Sequence, residues 1–173
     1  MEDTMSRAEE NLNDWLRDAH AMEQQAEKML QATVSRVENY PDLRDRLQQH
    51  LEETREQARL LKSCIDRCGA GTSTMKDMAA KMTGMGQGLS GLFVSDEVVK
   101  ATLASYTFEH MEIASYRSLI AAAEAAGDAE TATVCRNILP QEEAMAEWLG
   151  KRIGEVTQRF LQLAETPGAT AKR

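Results

Sequence analysis

The chain has 173 residues, a formal net charge of -8, and a composition that is 42% hydrophobic but only 5% aromatic. A sequence pI of about 5.0 argues against a nucleic-acid partner, because phosphate backbones are held by clustered Lys and Arg. No apolar run approaches the roughly 20 residues needed to span a bilayer. The opening MEDTMSRAEE is charged and lacks a signal-peptide core, so the expected location is the cytoplasm.

This length suits one domain with a sizeable core. Ala, Glu, Gln, Leu and Met recur, Pro numbers 3 and Gly 10, and β-branched runs are nearly absent. Such helix formers predict an all-α fold. Three cysteines, Cys64, Cys68 and Cys135, form no disulfide framework and read as reduced, partly buried thiols.

The first helix is predicted from about Ser6 to Asn39. Its inner stripe is Leu12, Trp15, Leu16, Ala19, Glu23, Ala26, Leu30, Val34 and Val37. The Tyr40-Pro41-Asp42 turn ends it, and a second helix runs from about Asp42 to Cys68. Leu47, Leu51, Thr54, Ala58, Leu61 and Ile65 form that helix's buried stripe, and Gly69-Ala70-Gly71 stops it.

Residues 72–97 form a long connection. Met75, Met78, Met82 and Met85 mark a short extra helix within it, read as adaptable packing over the bundle. A third helix starts near Asp96, its expected N-cap, and continues to Ala126 with Val98, Val99, Thr102, Ile113, Tyr116 and Ile120 inward. Gly127-Asp128 reads as a stop and a new cap. The fourth helix extends from about Ala129 to Leu163. It carries Val134, Ile138, Met145, Leu149, Val156, Phe160 and Leu163 inward, and Pro140 is expected to kink it.

Two tight hairpins joined by one long crossover predict a four-helix bundle of ferritin-like topology. Residues 1–165 are read as one domain and 166–173 as a disordered tail.

Each residue turns about 100° around a helix, so inward positions follow from counting. Glu109 falls near the middle of the third helix's apolar stripe and Glu112 toward its edge. Glu23 lies within the stripe of the first helix. On the fourth, Glu142 shares the inner side with Ile138 and Met145, while Glu143 points away. The second helix offers Glu53 at its shoulder with His50 one turn earlier; Glu52 faces solvent. His20 and His110 are placed off the inner faces.

A carboxylate in a core is costly unless its charge is compensated. Several gathered together repel one another, and two cations remove that cost. Carboxylate oxygens with an imidazole suit iron or manganese, as in di-iron and di-manganese carboxylate bundles. Tyr116, about two turns beyond Glu109, is read as a core aromatic that could also donate a hydrogen bond to a metal ligand.

At HLEETREQ, His50 to Gln57, and EHMEIASY, Glu109 to Tyr116, the sequence closely resembles the YciE/YciF family of bacterial ferritin-like proteins. DAHAMEQQ around Glu23 and LPQEEAM around Glu142 match more loosely. The resemblance covers about Leu12 to Leu163. It implies a rubrerythrin-related fold, metal binding and an association with stress, without a settled reaction. Carried over by position, it implies Glu23, Glu53, Glu109, Glu112 and Glu142 as ligands. The sequence departs from the usual Glu-x-x-His pattern, because Glu56 follows Glu53 and Met145 follows Glu142 at that spacing.

Two functions remain open at this point. One is a dinuclear iron or manganese centre handling peroxide or dioxygen. The other is a non-catalytic helical binding or structural protein with a degenerate or structural metal site. A homodimer is compatible with either.

Overall fold

The structure, a computed structural model, describes residues 5–69 and 95–171. Among these, the chain forms four helices: α1 (Arg7–Val34), α2 (Pro41–Arg67), α3 (Glu97–Ala126) and α4 (Ala129–Glu165). The predicted short helix with Met75, Met78, Met82 and Met85 lies outside the described residues.

Local chemistry fixes most helix ends. Ser6 and Glu9 form a reciprocal capping box at the start of α1. Pro41 opens α2, where its missing N–H costs nothing. Gly127 ends α3 in the left-handed conformation at φ 74°, and the Asp128 side chain then caps α4 by accepting from the Thr131 N–H at 3.0 Å. Asp96 occupies the N-cap position of α3, but its side chain makes no cap hydrogen bond; it pairs with Lys100 at 3.0 Å instead.

The first helix is shorter than predicted, ending at Val34 rather than near Asn39. Thr33 and Ser35 turn their hydroxyls back onto the carbonyls of Met29 and Ala32. The N–H groups of both Arg36 and Val37 then converge on the Thr33 carbonyl. Such local bonds compete with helix continuation. After α4, the carbonyls of Thr170 and Ala171 accept hydrogen bonds from Asn39 and Tyr40 in the α1–α2 turn. Pro140 sits on the exposed side of α4, which stays helical through it.

α1 packs against α2 and α3, and α4 packs against α3 and α2, while the backbones of α2 and α3, consecutive among the described helices, stay apart. They therefore occupy diagonal corners, as a hairpin–crossover–hairpin plan requires. The core is split into two apolar ends. One joins Leu12, Leu16, Leu61, Ile65, Tyr116, Leu119 and Ile138. The other joins Leu30, Leu43, Leu47, Leu51, Val98, Met145 and Leu149. Each diagonal pair of helices thus runs parallel, and the polar residues lie between the two ends.

The counted stripes hold with two corrections on α1. Trp15, expected inward, is 45% exposed; it lies on one edge of the stripe, about 60° from its centre line. His20, expected off the inner face, is buried. It sits on the opposite edge, where α2 brings Lys62 and Asp66 near it.

Candidate metal centre

Four helices deliver polar side chains to the layer between the apolar ends. α1 supplies Glu23, α2 supplies His50 and Gln57, α3 supplies Glu109 and Glu112, and α4 supplies Glu142; every one is at most 3% exposed. Glu112, expected at the stripe's edge, is as deeply buried as Glu109. His50, Glu109, Glu112 and Glu142 each offer a ligand atom within 4.8 Å of the others. Glu23 stands outside that four-residue group but is electrostatically coupled to His50, Glu109 and Glu112.

His50 is the hub. Its Nδ1 lies 2.8 Å from Glu53 Oε2. Its Nε2 faces the cluster, 3.1 Å from Glu109 Oε2 and 3.6 Å from Glu142 Oε2, without hydrogen-bond geometry to either. Burial opposes a charge on this imidazole, but Glu109 and Glu53 outweigh it and raise the pKa to about 10.

Glu53 is not brought into the cluster. Its side chain is 23% exposed and is occupied by His50, by Arg46 at 3.2 Å and by Gln49 at 2.8 Å. Burial pushes its pKa up, but these partners prevail and lower it to about 2.

The inner carboxylates behave in the opposite way. Burial raises Glu23 to about 8, against the lowering pull of Tyr116 and His50. Burial and neighbouring carboxylates hold Glu112 well above the usual range. Burial does the same at Glu142, with His50 pulling down and Glu109 and Glu23 pushing up. Tyr116 is fully buried and donates its hydroxyl to Glu23 Oε1. It is therefore the core aromatic read from the sequence, and it donates a hydrogen bond within the polar layer.

Seven buried side-chain polar atoms among the described residues lack a hydrogen-bond partner. Six belong to this layer: Glu23 Oε2, His50 Nε2, Gln57 Oε1, Glu109 Oε2, Glu112 Oε1 and Glu142 Oε2. Buried polar groups are ordinarily paired, so their concentration at one place calls for a ligand that accepts lone pairs. A hard cation does this. The donors present, carboxylate oxygens and one imidazole, are those expected for iron or manganese.

The remaining candidates separate cleanly. His110 is exposed and meets Tyr106 edge to face at 4.6 Å. Glu52 and Glu143 point outward, paired with Arg55 and Arg117 at 2.7 Å each. Glu56 pairs with Arg59, and Met145 is buried in an apolar end, so neither Glu-x-x-His position carries an inward donor. Cys64, Cys68 and Cys135 are free thiols. Burial raises all three, Cys135 to about 12. Gln57 was missed by sequence reading, because a neutral amide leaves no mark in a search for charges.

Residues 7–162 match the family described as "Domain of unknown function (DUF892)", and the chain belongs to that family. Among solved structures it is similar to a protein from Xanthomonas campestris pv. campestris, with 39% identity, coverage of 93% of this chain and 100% of that one, and a TM-score of 0.79. It is also similar to YcfI from Rhodopseudomonas palustris, to which a structural role has been assigned provisionally. That match has 26% identity, covers 87% of this chain and 97% of that one, and has a TM-score of 0.67. Among the described residues, no helix is long and apolar enough to cross a membrane.

Proposed function

We propose that this chain is a ferritin-like metal-binding protein, related to the YciE/YciF proteins, with a dinuclear iron or manganese centre. The observation that carries the reading is the set of five orphaned carboxylate and imidazole atoms in one layer, on Glu23, His50, Glu109, Glu112 and Glu142. Glu23, Glu109, Glu112 and Glu142 would carry four negative charges when ionised, and two divalent cations balance them while His50 stays neutral. Glu53 would serve the centre by holding His50 through Nδ1, which leaves Nε2 facing the carboxylates of Glu109 and Glu142. Carboxylate–histidine pairs of this kind orient the imidazole and raise its basicity. Such a metal pair supplies electrons and Lewis acidity toward peroxide or dioxygen. The surrounding apolar ends keep bulk water away from the site.

A second reading, a structural metal site without turnover, is favoured by one observation. Both positions where Glu-x-x-His would place a histidine hold other residues, Glu56 and Met145. The provisional structural role given to YcfI points the same way.

Metal analysis of protein purified without added metal tests the shared part of these readings: about two iron or manganese ions per chain are expected, as for a dinuclear site. Peroxide consumption by the loaded protein separates them. Protein that neither holds nor takes up either metal would sink both.

A further inference from the structure

Gln57 belongs to the buried layer but has no place in a carboxylate–imidazole ligand set. It lies on α2 two turns beyond His50 and is 1% exposed. Its Nε2 donates to Gln141 Oε1 at 2.9 Å and also to Glu142 Oε1. Its Oε1 is buried without a partner. Turning the amide over would set its oxygen against the carboxylate of Glu142, so Glu142 fixes which way the amide points. The hydrogen bond divides the two oxygens of that carboxylate. Oε1 is held by Gln57, whereas Oε2 stays unpartnered, 3.6 Å from His50 Nε2. Glu23 shows the same division across the bundle, with Tyr116 on Oε1 and Oε2 left free.

We propose that Gln57 is a positioning residue of the metal centre: its amide holds Glu142 Oε1 and so commits Glu142 to bind a cation through Oε2 alone. This rests on the metal-binding reading above. Without the amide donor, Oε1 is free to swing onto the same cation, turning Glu142 into a chelating ligand and closing a coordination position.

Cobalt(II) is a suitable probe, because its visible spectrum weakens as coordination number rises. Metal-free wild type and Gln57→Met, which keeps volume without a donor, are titrated with cobalt and followed by absorption. In Gln57→Met, cobalt affinity is expected to fall about 10- to 100-fold, the usual effect of removing an outer hydrogen-bond partner, and absorption per bound cobalt is expected to fall as well. A variant that loses thermal stability but matches wild type in affinity and spectrum overturns the proposal. Wild type that takes up no cobalt overturns the metal reading itself.

Should Gln57→Met not fold, the infrared difference spectrum of loaded minus metal-free wild type decides. The proposal expects a widely split, one-oxygen carboxylate pair of bands that disappears in Glu142→Gln. Bands unchanged by that substitution overturn it.

Discussion

Glu97 and the glutamates at mid-bundle are about equally hidden from water, yet they are held in opposite ways. Glu97 is 3% exposed, and the Arg36 guanidinium meets both of its oxygens, Nη2 reaching Oε2 at 3.0 Å. That two-pronged pairing satisfies the carboxylate within the chain. At mid-bundle, the ion pairs that Glu23, Glu109, Glu112 and Glu142 make with basic side chains of the described residues involve His50 alone. Burial therefore does not separate the two regions. What separates them is the set of lone pairs that the protein itself leaves unmet at mid-bundle.

Several measurements would break or sharpen this contrast. The largest effect is expected on metal content: Glu109→Ala should lose most bound metal, whereas Glu97→Ala should keep it. Elemental analysis of the two purified variants checks this.

Next is the stability of the metal-free protein against pH. Glu23 is raised from 4.5 to about 8 and His50 from 6.5 to about 10. In each case the folded state holds a proton that the unfolded chain has released. The stabilisation is complete below the unfolded value and is lost as pH rises through the folded one. Thermal melts of chelator-treated protein should therefore show Tm falling from pH 5 toward pH 9. Metal binding needs those protons removed, so it should release protons at neutral pH and strengthen as pH rises. A metal-free Tm that climbs over this range would contradict the buried cluster.

Tyr116→Phe comes third. It removes one buried hydrogen bond to Glu23 and should cost about 1–2 kcal/mol in denaturant unfolding, with weaker metal uptake. The smallest effect is expected for Glu97→Gln, with a modest drop in Tm and no change in metal binding.

Much of this was legible in the residues. Helical counting put Glu109, Glu23 and Glu142 inward because each sits inside an apolar stripe, and a stripe's centre does not depend on which helix covers it. Shoulder positions do depend on it. Trp15 and His20 lie on opposite edges of the α1 stripe, and only the placement of α2 and α3 decides that one is exposed and the other buried. Glu112 was drawn inward from its expected edge in the same way. On α2, a shoulder position beside His50 and the family resemblance suggested Glu53 as a ligand. The structure sets its side chain against His50 Nδ1, Arg46 and Gln49, contacts that depend on rotamers as well as spacing. Gln57 carried no signal at all, because its importance lies in what its amide touches.

The most direct test of the metal centre is anomalous diffraction from crystals grown with manganese. Two anomalous peaks are expected in the layer between the apolar ends, close to Glu23, His50, Glu109, Glu112 and Glu142, with Glu53 beyond ligand distance. Crystals with no peak in that layer, and with the same carboxylates satisfied by protons and by one another, would contradict the account.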